Sequence, residues 1–352
     1  MKLFPRKAFL IVIMIFGVVF SASSQSISLP NTLAVLQETA DDLSGILAKS
    51  LPFNSSLGLN WADAYVGKLV PSAPPHFGIG ASFGVTTIDF PILSKLTDMF
   101  GFKLPMSDLK LFKERLVLPA YAAEARIGGI FLPFDIGAKF GMLPPVKWLK
   151  TSYELDYKMA GADLRFAILD GKSKKMLPNL SAGVGFNYLR GGLGATVTGV
   201  APTFDFENPI DHINHSLKVD DPTFRLFWET YGIEGKVQIS KSFFIITPYL
   251  GFGAGYSWSK AGYEVKTGAS FDGHPLSDTD KEMIKAYLAY AGLNSMDFLV
   301  DGFSSTIGNN AWNFRAFGGL SINIFMVKVD ATIMYNILDR QLGASVGARF
   351  QL

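Results

Sequence analysis

The sequence predicts an all-β fold: an antiparallel transmembrane β-barrel of about 10–12 strands, reaching about 14 if the ambiguous stretches hide more, with an N-terminal helical, plug-like segment and short helices in long loops. Three observations predict it. From Gln341 to Leu352 apolar residues (Leu342, Ala344, Val346, Ala348, Phe350, Leu352) alternate with small or polar ones to the last residue. A period of two puts the two sets on opposite faces of a strand. The same alternation recurs along the chain from Phe77 onward. Charged residues make up only 18% of the chain while hydrophobic residues reach 49%, too few charges to wet an ordinary soluble surface.

The amino terminus reads as a leader. Lys2, Arg6 and Lys7 precede an unbroken apolar run from Ala8 to Phe20, and small residues at Ala22 and Ser24 suit cleavage near Ser24-Gln25. That is the layout of a secretory signal peptide, too short for a spanning helix. The expected organisation is a signal peptide over 1–24, a helical plug segment over 25–75 and a barrel over 76–352. Within 25–75, Leu33, Leu36, Leu43, Ile46 and Leu47 fall at helical spacing behind an Asn31-Thr32 cap. Residues 57–70 alternate in part, with Asp63 on the apolar face.

The strands follow in order. Phe77, Ile79, Ala81, Phe83 and Val85 alternate with Gly78, Gly80, Ser82 and Gly84; Tyr121 to Ile127 alternates with Glu124 and Arg126 on the other face. Phe134 to Met142 opposes Asp135 and Lys139. Tyr153, Leu155, Tyr157 and Met159 oppose Glu154, Asp156 and Lys158, after which Leu164, Phe166 and Ile168 take over the apolar set. Such a parity switch at Ala160-Gly161 predicts a bulge. Leu180 to Tyr188, Phe227 to Ile239, Phe244 to Trp258, Trp312 to Ile324 and Val327 to Tyr335 continue the rule, with a tight turn at Phe325-Met326 that lacks Gly or Asn. Counted back from the C-terminus, linkers alternate short and long, so the three longest (89–119, 198–220, 267–308) fall on one side. Short periplasmic turns and long outer loops are the pattern of bacterial barrels. Ser277 to Gly292, capped and acidic at its start, predicts a loop helix, and Pro91 to Gly101 a second.

The non-apolar faces carry Glu124, Arg126, Asp135, Lys139, Glu154, Asp156, Lys158, Glu234, Lys236, Arg315, Lys328, Asp330 and Arg349. These are the candidate lumen-lining residues of an aqueous or plugged lumen; their near balance in acid and base does not point to a strongly charge-selective pore, and cross-lumen ion pairs that narrow it are an equal expectation. Tyr121, Tyr153, Tyr188, Tyr231, Tyr256, Trp258, Trp312 and Tyr335 cluster at strand ends, as interfacial girdles do. His212 and His215 beside Asp211 form at most half a metal site; a solvated pair is the expected reading, with no metal and no cofactor. No serine is spaced to suggest a histidine partner, so no catalytic residue is assigned. The Gly251/Gly253/Gly255 run lies inside a strand, and a net charge of +2 gives no case for nucleic acid.

The last hundred residues, ending VGARFQL, resemble the C-terminal half of bacterial outer-membrane barrel proteins. Those often end on an aromatic residue that the insertion machinery reads; here Leu352 stands last and Phe350 two before it. The plug-like front, SSLGLNWADAYVG and the glycine-rich barrel resemble, in layout, the long-chain fatty-acid channels of the outer membrane. The resemblance implies an N-terminal hatch in the lumen and hydrophobic cargo leaving sideways through the wall, although that family has more strands than are counted here. The expectation is an integral outer-membrane barrel giving passive passage to small solutes, hydrophobic fatty-acid-like compounds among them. Its partners would be outer-membrane lipid, those solutes and the barrel-insertion machinery. Two alternatives stand beside it: a surface barrel, adhesive or structural, that transports nothing, and a soluble periplasmic lipid-binding barrel.

Overall fold

The computed structural model describes residues 29–66, 76–89, 115–129, 133–147, 153–169, 177–196, 203–207, 214–220, 223–266, 268–290 and 303–352. The expected leader over 1–24 and the expected helix at 91–101 lie outside them.

Ten strands close into one antiparallel barrel. They are β1 (His76–Asp89), β2 (Arg115–Gly128), β3 (Phe134–Lys147), β4 (Tyr153–Leu169), β5 (Asn179–Thr196), β8 (Thr223–Ser240), β9 (Ile246–Lys266), β12 (Phe303–Ile324), β13 (Val327–Asn336) and β14 (Gln341–Gln351). The last strand seals against the first, from Gly78 opposite Gln351 to Thr86 opposite Gly343, so the barrel leaves neither as an open edge. The loops between β5 and β8 and beyond β9 add a small sheet of β6 (Thr203–Glu207), β7 (Asn214–Val219), β10 (Ala269–Phe271) and β11 (His274–Pro275). Helix α1 covers Leu29–Ser55 and α2 covers Asp278–Tyr290. The Asp280 carboxylate accepts from Ser277 N–H and Ser277 Oγ accepts from Asp280 N–H, a capping box that starts α2 where the sequence places it.

His76, Leu352 and the turns at 243–246 and 325–326 share one rim, called here the terminal rim; the long loops rise from the other, the loop rim. The Phe325-Met326 turn is as tight as expected. It is made with a non-glycine left-handed residue, Phe325 at φ 52°, and Phe244 repeats the device at φ 51°. Both side chains stand fully exposed at their tips.

The outer wall between the rims is a belt of exposed Ile79, Ile136, Phe140, Leu164, Val184, Ile233, Leu250, Leu320, Ile333 and Val346. No described residue covers it, so lipid is its solvent and the chain is a membrane-spanning barrel. A soluble barrel would hide these side chains, and that alternative is set aside. The Tyr and Trp girdle is one-sided. Tyr188, Tyr231, Tyr256, Trp258 and Trp312 band the belt toward the loop rim, where rings stack edge-on or face-on, as between Tyr231 and Trp258 at 5.5 Å. Phenylalanines such as Phe77 and Phe166 stand at the opposite rim.

One prediction fails instructively. No bulge breaks β4 at Ala160-Gly161: its pairing with β5 runs in unbroken register from Tyr153 to Ala167. Tyr157 and Met159 therefore share the inward face with Asp163 and Arg165, while Asp156 and Lys158 point outward. Asp156 pairs with Arg225 on the outer wall, and nearby Glu229 pairs with Lys260. These residues form a charged collar above the girdle. The pattern inverts because the surroundings do: above the membrane the outer face meets water and the inner face meets α1. Asp156 and Lys158 are thus not lumen-lining, and the side chain of Glu154 lies outside the described residues.

Candidate functional site: a threaded lumen and a break in the wall

The N-terminal segment fills the barrel from end to end. Helix α1, 27 residues and roughly 40 Å long, enters at the loop rim, where Asp41 meets Tyr263 of β9. Lower down Lys49 pairs with Asp339 at 3.0 Å and Ser50 Oγ accepts from Gln341. Its apolar side (Ala40, Leu43, Leu47, Ala48, Leu51, Phe53) packs on inward Met159, Leu189, Phe224, Leu226, Trp228, Ala261 and Tyr263. The upper lumen is therefore an apolar sleeve around a helix.

At Ser55 the helix stops. Gly58 (φ 84°) and Leu59 (φ 55°) take left-handed conformations, and the chain continues as an irregular, bent stretch that descends to Val66. A Cβ at Gly58 would lie 2.9 Å from Glu124 Oε1, so glycine serves both the turn and the close approach. The buried Lys139 ammonium donates to the carbonyls of Ser55 (2.7 Å) and Leu57 (2.5 Å), placing a cation on the freed carbonyls of the helix C-terminus. Below it the wall grips mainly the backbone. Gln238 donates to Trp61 O and Ala62 O, Arg165 to Asp63 O, and Ser181 to Ala64 O; Val66 N–H donates to Asp135 at 2.5 Å.

Trp61 is the central bolt. Its ring lies between the guanidinium groups of Arg126 (5.5 Å) and Arg349 (4.7 Å), its N–H donates to Glu124 at 2.5 Å, and Gly78 leaves room beneath it. The charges predicted from the strands meet around this segment. Arg126 bonds Asp135 (2.6 Å) and Asp163 (2.7 Å), Arg165 bonds Asp135 (2.8 Å), and Lys236 bonds Asp163. Arg315 bonds Glu234 (2.6 Å), Arg349 bonds Asp330, and both Lys328 and Arg349 reach Asp63 (2.6 and 3.1 Å). Ten of the thirteen predicted lumen residues face inward: Glu124, Arg126, Asp135, Lys139, Glu234, Lys236, Arg315, Lys328, Asp330 and Arg349. Asp163 and Arg165 were missed. They alternate with Leu164 and Phe166, which face outward, so the period-two signal for them was present in the sequence. Mostly paired and largely buried, these groups close the lower lumen instead of lining an aqueous pore.

Between β2 and β3 the wall is discontinuous. β2 and β3 pair only from Ala123 opposite Phe140 to Gly128 opposite Asp135. Beyond that point Arg115–Ala122 pairs with β1 alone and Gly141–Lys147 with β4 alone. Sequence explains the break. Pro119 of β2 and Pro144-Pro145 of β3 lack the N–H groups a ladder needs. Where the ladder stops, Tyr157 reaches across from β4. Its hydroxyl accepts from Tyr121 N–H and donates to Tyr121 C=O, 3.3 Å each, and the two rings stack at 5.0 Å. The lower end of the break is thus stopped by one aromatic side chain, at the level of the apolar sleeve.

On the loops, His215 Nδ1 pairs with Asp272 at 2.7 Å and its ring stacks on Phe271. That contact and the Ser216 N–H hold the Asp272 carboxyl below its ordinary range. His212 lies outside the described residues, and no metal-holding cluster occurs among the described ones.

Closed ladder, lipid-facing belt and occupied lumen define the class: a plugged, membrane-spanning antiparallel β-barrel. No family model and no curated protein matches the chain. Among solved structures it is similar to Ail, the attachment invasion locus protein of Yersinia pestis (11% identity over 79% of this chain and 99% of that one, TM-score 0.25). It is similar also to the translocator domain of the autotransporter NalP from Neisseria meningitidis (9%, 90% and 97%, TM-score 0.29). A third is the Ralstonia pickettii toluene transporter TbuX (8%, 79% and 89%, TM-score 0.25). At this distance the fold rests on the closed ladder itself.

Proposed function

We propose that the chain is an integral outer-membrane barrel that passes small hydrophobic compounds sideways into the bilayer. The observation that carries this reading is the unpaired β2–β3 seam, stopped by Tyr157 and opening from an apolar sleeve above a sealed ionic floor. A polar solute would need a continuous aqueous path, which the buried ion pairs and Trp61 obstruct. An apolar solute entering beside α1 needs only to displace the Tyr157 ring to leave through the wall at the upper edge of the lipid belt, just beside the charged collar. Leaving water for the sleeve is favourable, and the step from sleeve to bilayer exchanges one apolar environment for another at little cost.

The test is a locked seam. A chain with Ala120→Cys and Leu143→Cys has no competing thiol, because the natural sequence contains no cysteine. Bridging the two with a bifunctional thiol reagent should abolish uptake of a fluorescent apolar probe in cells or proteoliposomes, and cleaving the bridge should restore it. Unchanged uptake would remove the lateral route. A second reading, a surface barrel that transports nothing, is favoured by the filled lumen together with the β6–β7–β10–β11 sheet and α2 on the loops. It predicts no probe uptake in either state and no single-channel conductance.

A further inference from the structure

We infer that the lower lumen is a grip for a polypeptide backbone outside regular structure, and that it holds this chain threaded outward, so that the N-terminal end of α1 is presented on the same side of the membrane as the long loops. This goes beyond the transport reading and does not depend on it.

Two independent features carry it. The first is direction. Contacts of the N-terminal segment descend the wall in strict sequence order. Asp41 meets Tyr263, Lys49 meets Asp339, Asn54 meets Thr86, Leu57 lies by Gly84, Trp61 by Gly78, Asp63 meets Lys328, and Val66 meets Asp135. Tyr263 stands near the top of β9, Asp339 in the loop-rim turn, and Lys328 and Asp135 at the terminal rim. The barrel strands begin and end at the terminal rim, with Leu352 N–H donating to Phe77 O. Glu38, exposed near the start of α1, is therefore a full barrel height from both.

The second feature is the kind of contact. Between Ser55 and Ala64 the wall donors Lys139, Lys236, Gln238, Arg165 and Ser181 end on backbone carbonyls of Ser55, Leu57, Leu59, Trp61, Ala62, Asp63 and Ala64. A chain outside helix and sheet leaves carbonyls that must find donors once water is excluded. A wall that supplies them holds a peptide largely regardless of side chain, with Trp61 and Asp63 fixing the register. A hatch folded as a separate body would satisfy its own backbone. This segment does not, and relies on the barrel.

Single-cysteine variants test the orientation, since the natural chain has no cysteine. Glu38→Cys, Asp278→Cys (in α2) and Phe244→Cys (terminal rim) all replace exposed side chains, so each protein should fold, as checked by its heat-dependent migration. Intact cells are treated with a membrane-impermeant maleimide, before and after permeabilising the outer membrane. The expected result is equal labelling of the Glu38 and Asp278 variants in both conditions, and labelling of the Phe244 variant only after permeabilisation. Labelling of the Glu38 variant only after permeabilisation, with the Asp278 variant labelled in intact cells, overturns the outward threading. Labelling of the Phe244 variant alone in intact cells overturns the sidedness. Neither result bears on apolar probe uptake, so the transport reading stands or falls separately.

Discussion

The hydroxyl of Tyr157 closes a hydrogen-bond pair with the backbone N–H and C=O of Tyr121, two strands away and past β3. These are the first backbone groups of β2 that the β2–β3 ladder leaves without a strand partner, and one phenol serves both. Tyr157→Phe keeps the stacked ring and removes the hydroxyl. The buried amide and carbonyl then lose their partner, which costs about 1–3 kcal/mol. Denaturant unfolding in detergent should register that loss, and apolar probe uptake should rise.

Trp61→Ala removes the ring between Arg126 and Arg349 and the donor to Glu124. Truncating a buried Trp costs about 3–5 kcal/mol, and here it also leaves two guanidinium groups facing a void that water can enter. Planar-bilayer recordings should show measurable conductance in the variant and none, or far less, in the parent chain. Equal conductance would mean that Trp61 does not seal the lumen.

The Arg315–Glu234 pair is largely buried and charge-assisted. Arg315→Met alone strands a carboxylate and should cost about 3–5 kcal/mol, whereas adding Glu234→Leu should recover most of it. A double-mutant cycle on unfolding free energies measures the coupling. A double variant as unstable as the single one would show that the residues matter by packing instead.

The inversion of the binary pattern along β4 gives a paired prediction. Lys158→Glu changes a residue of the aqueous collar and should leave stability within about 0.5 kcal/mol. Leu164→Arg, on the same face but in the middle of the lipid belt, should cost about 2–4 kcal/mol. Insertion and refolding assays in vesicles compare them directly.

Much of this architecture is legible in the order of residues. Ten strands, the seal between the first and last, the α2 helix and the sharp Phe325-Met326 turn all follow from period-two patterning and cap chemistry. Ten of the thirteen proposed inward charges are inward. Asp156 and Lys158 depart from the pattern because a polar residue on a strand means lumen only within the membrane; above the girdle it means water.

What the sequence by itself determined is which residues share a face, because alternation is a local property of the strand. What each face meets was decided only by the tertiary structure. Lipid, water and helix α1 succeed one another along a single strand, and nothing in the period announces the change. The break between β2 and β3 lies between the two cases. Pro119, Pro144 and Pro145 mark edges that cannot donate, but only the closed barrel shows that those edges face each other and that Tyr157 stands between them.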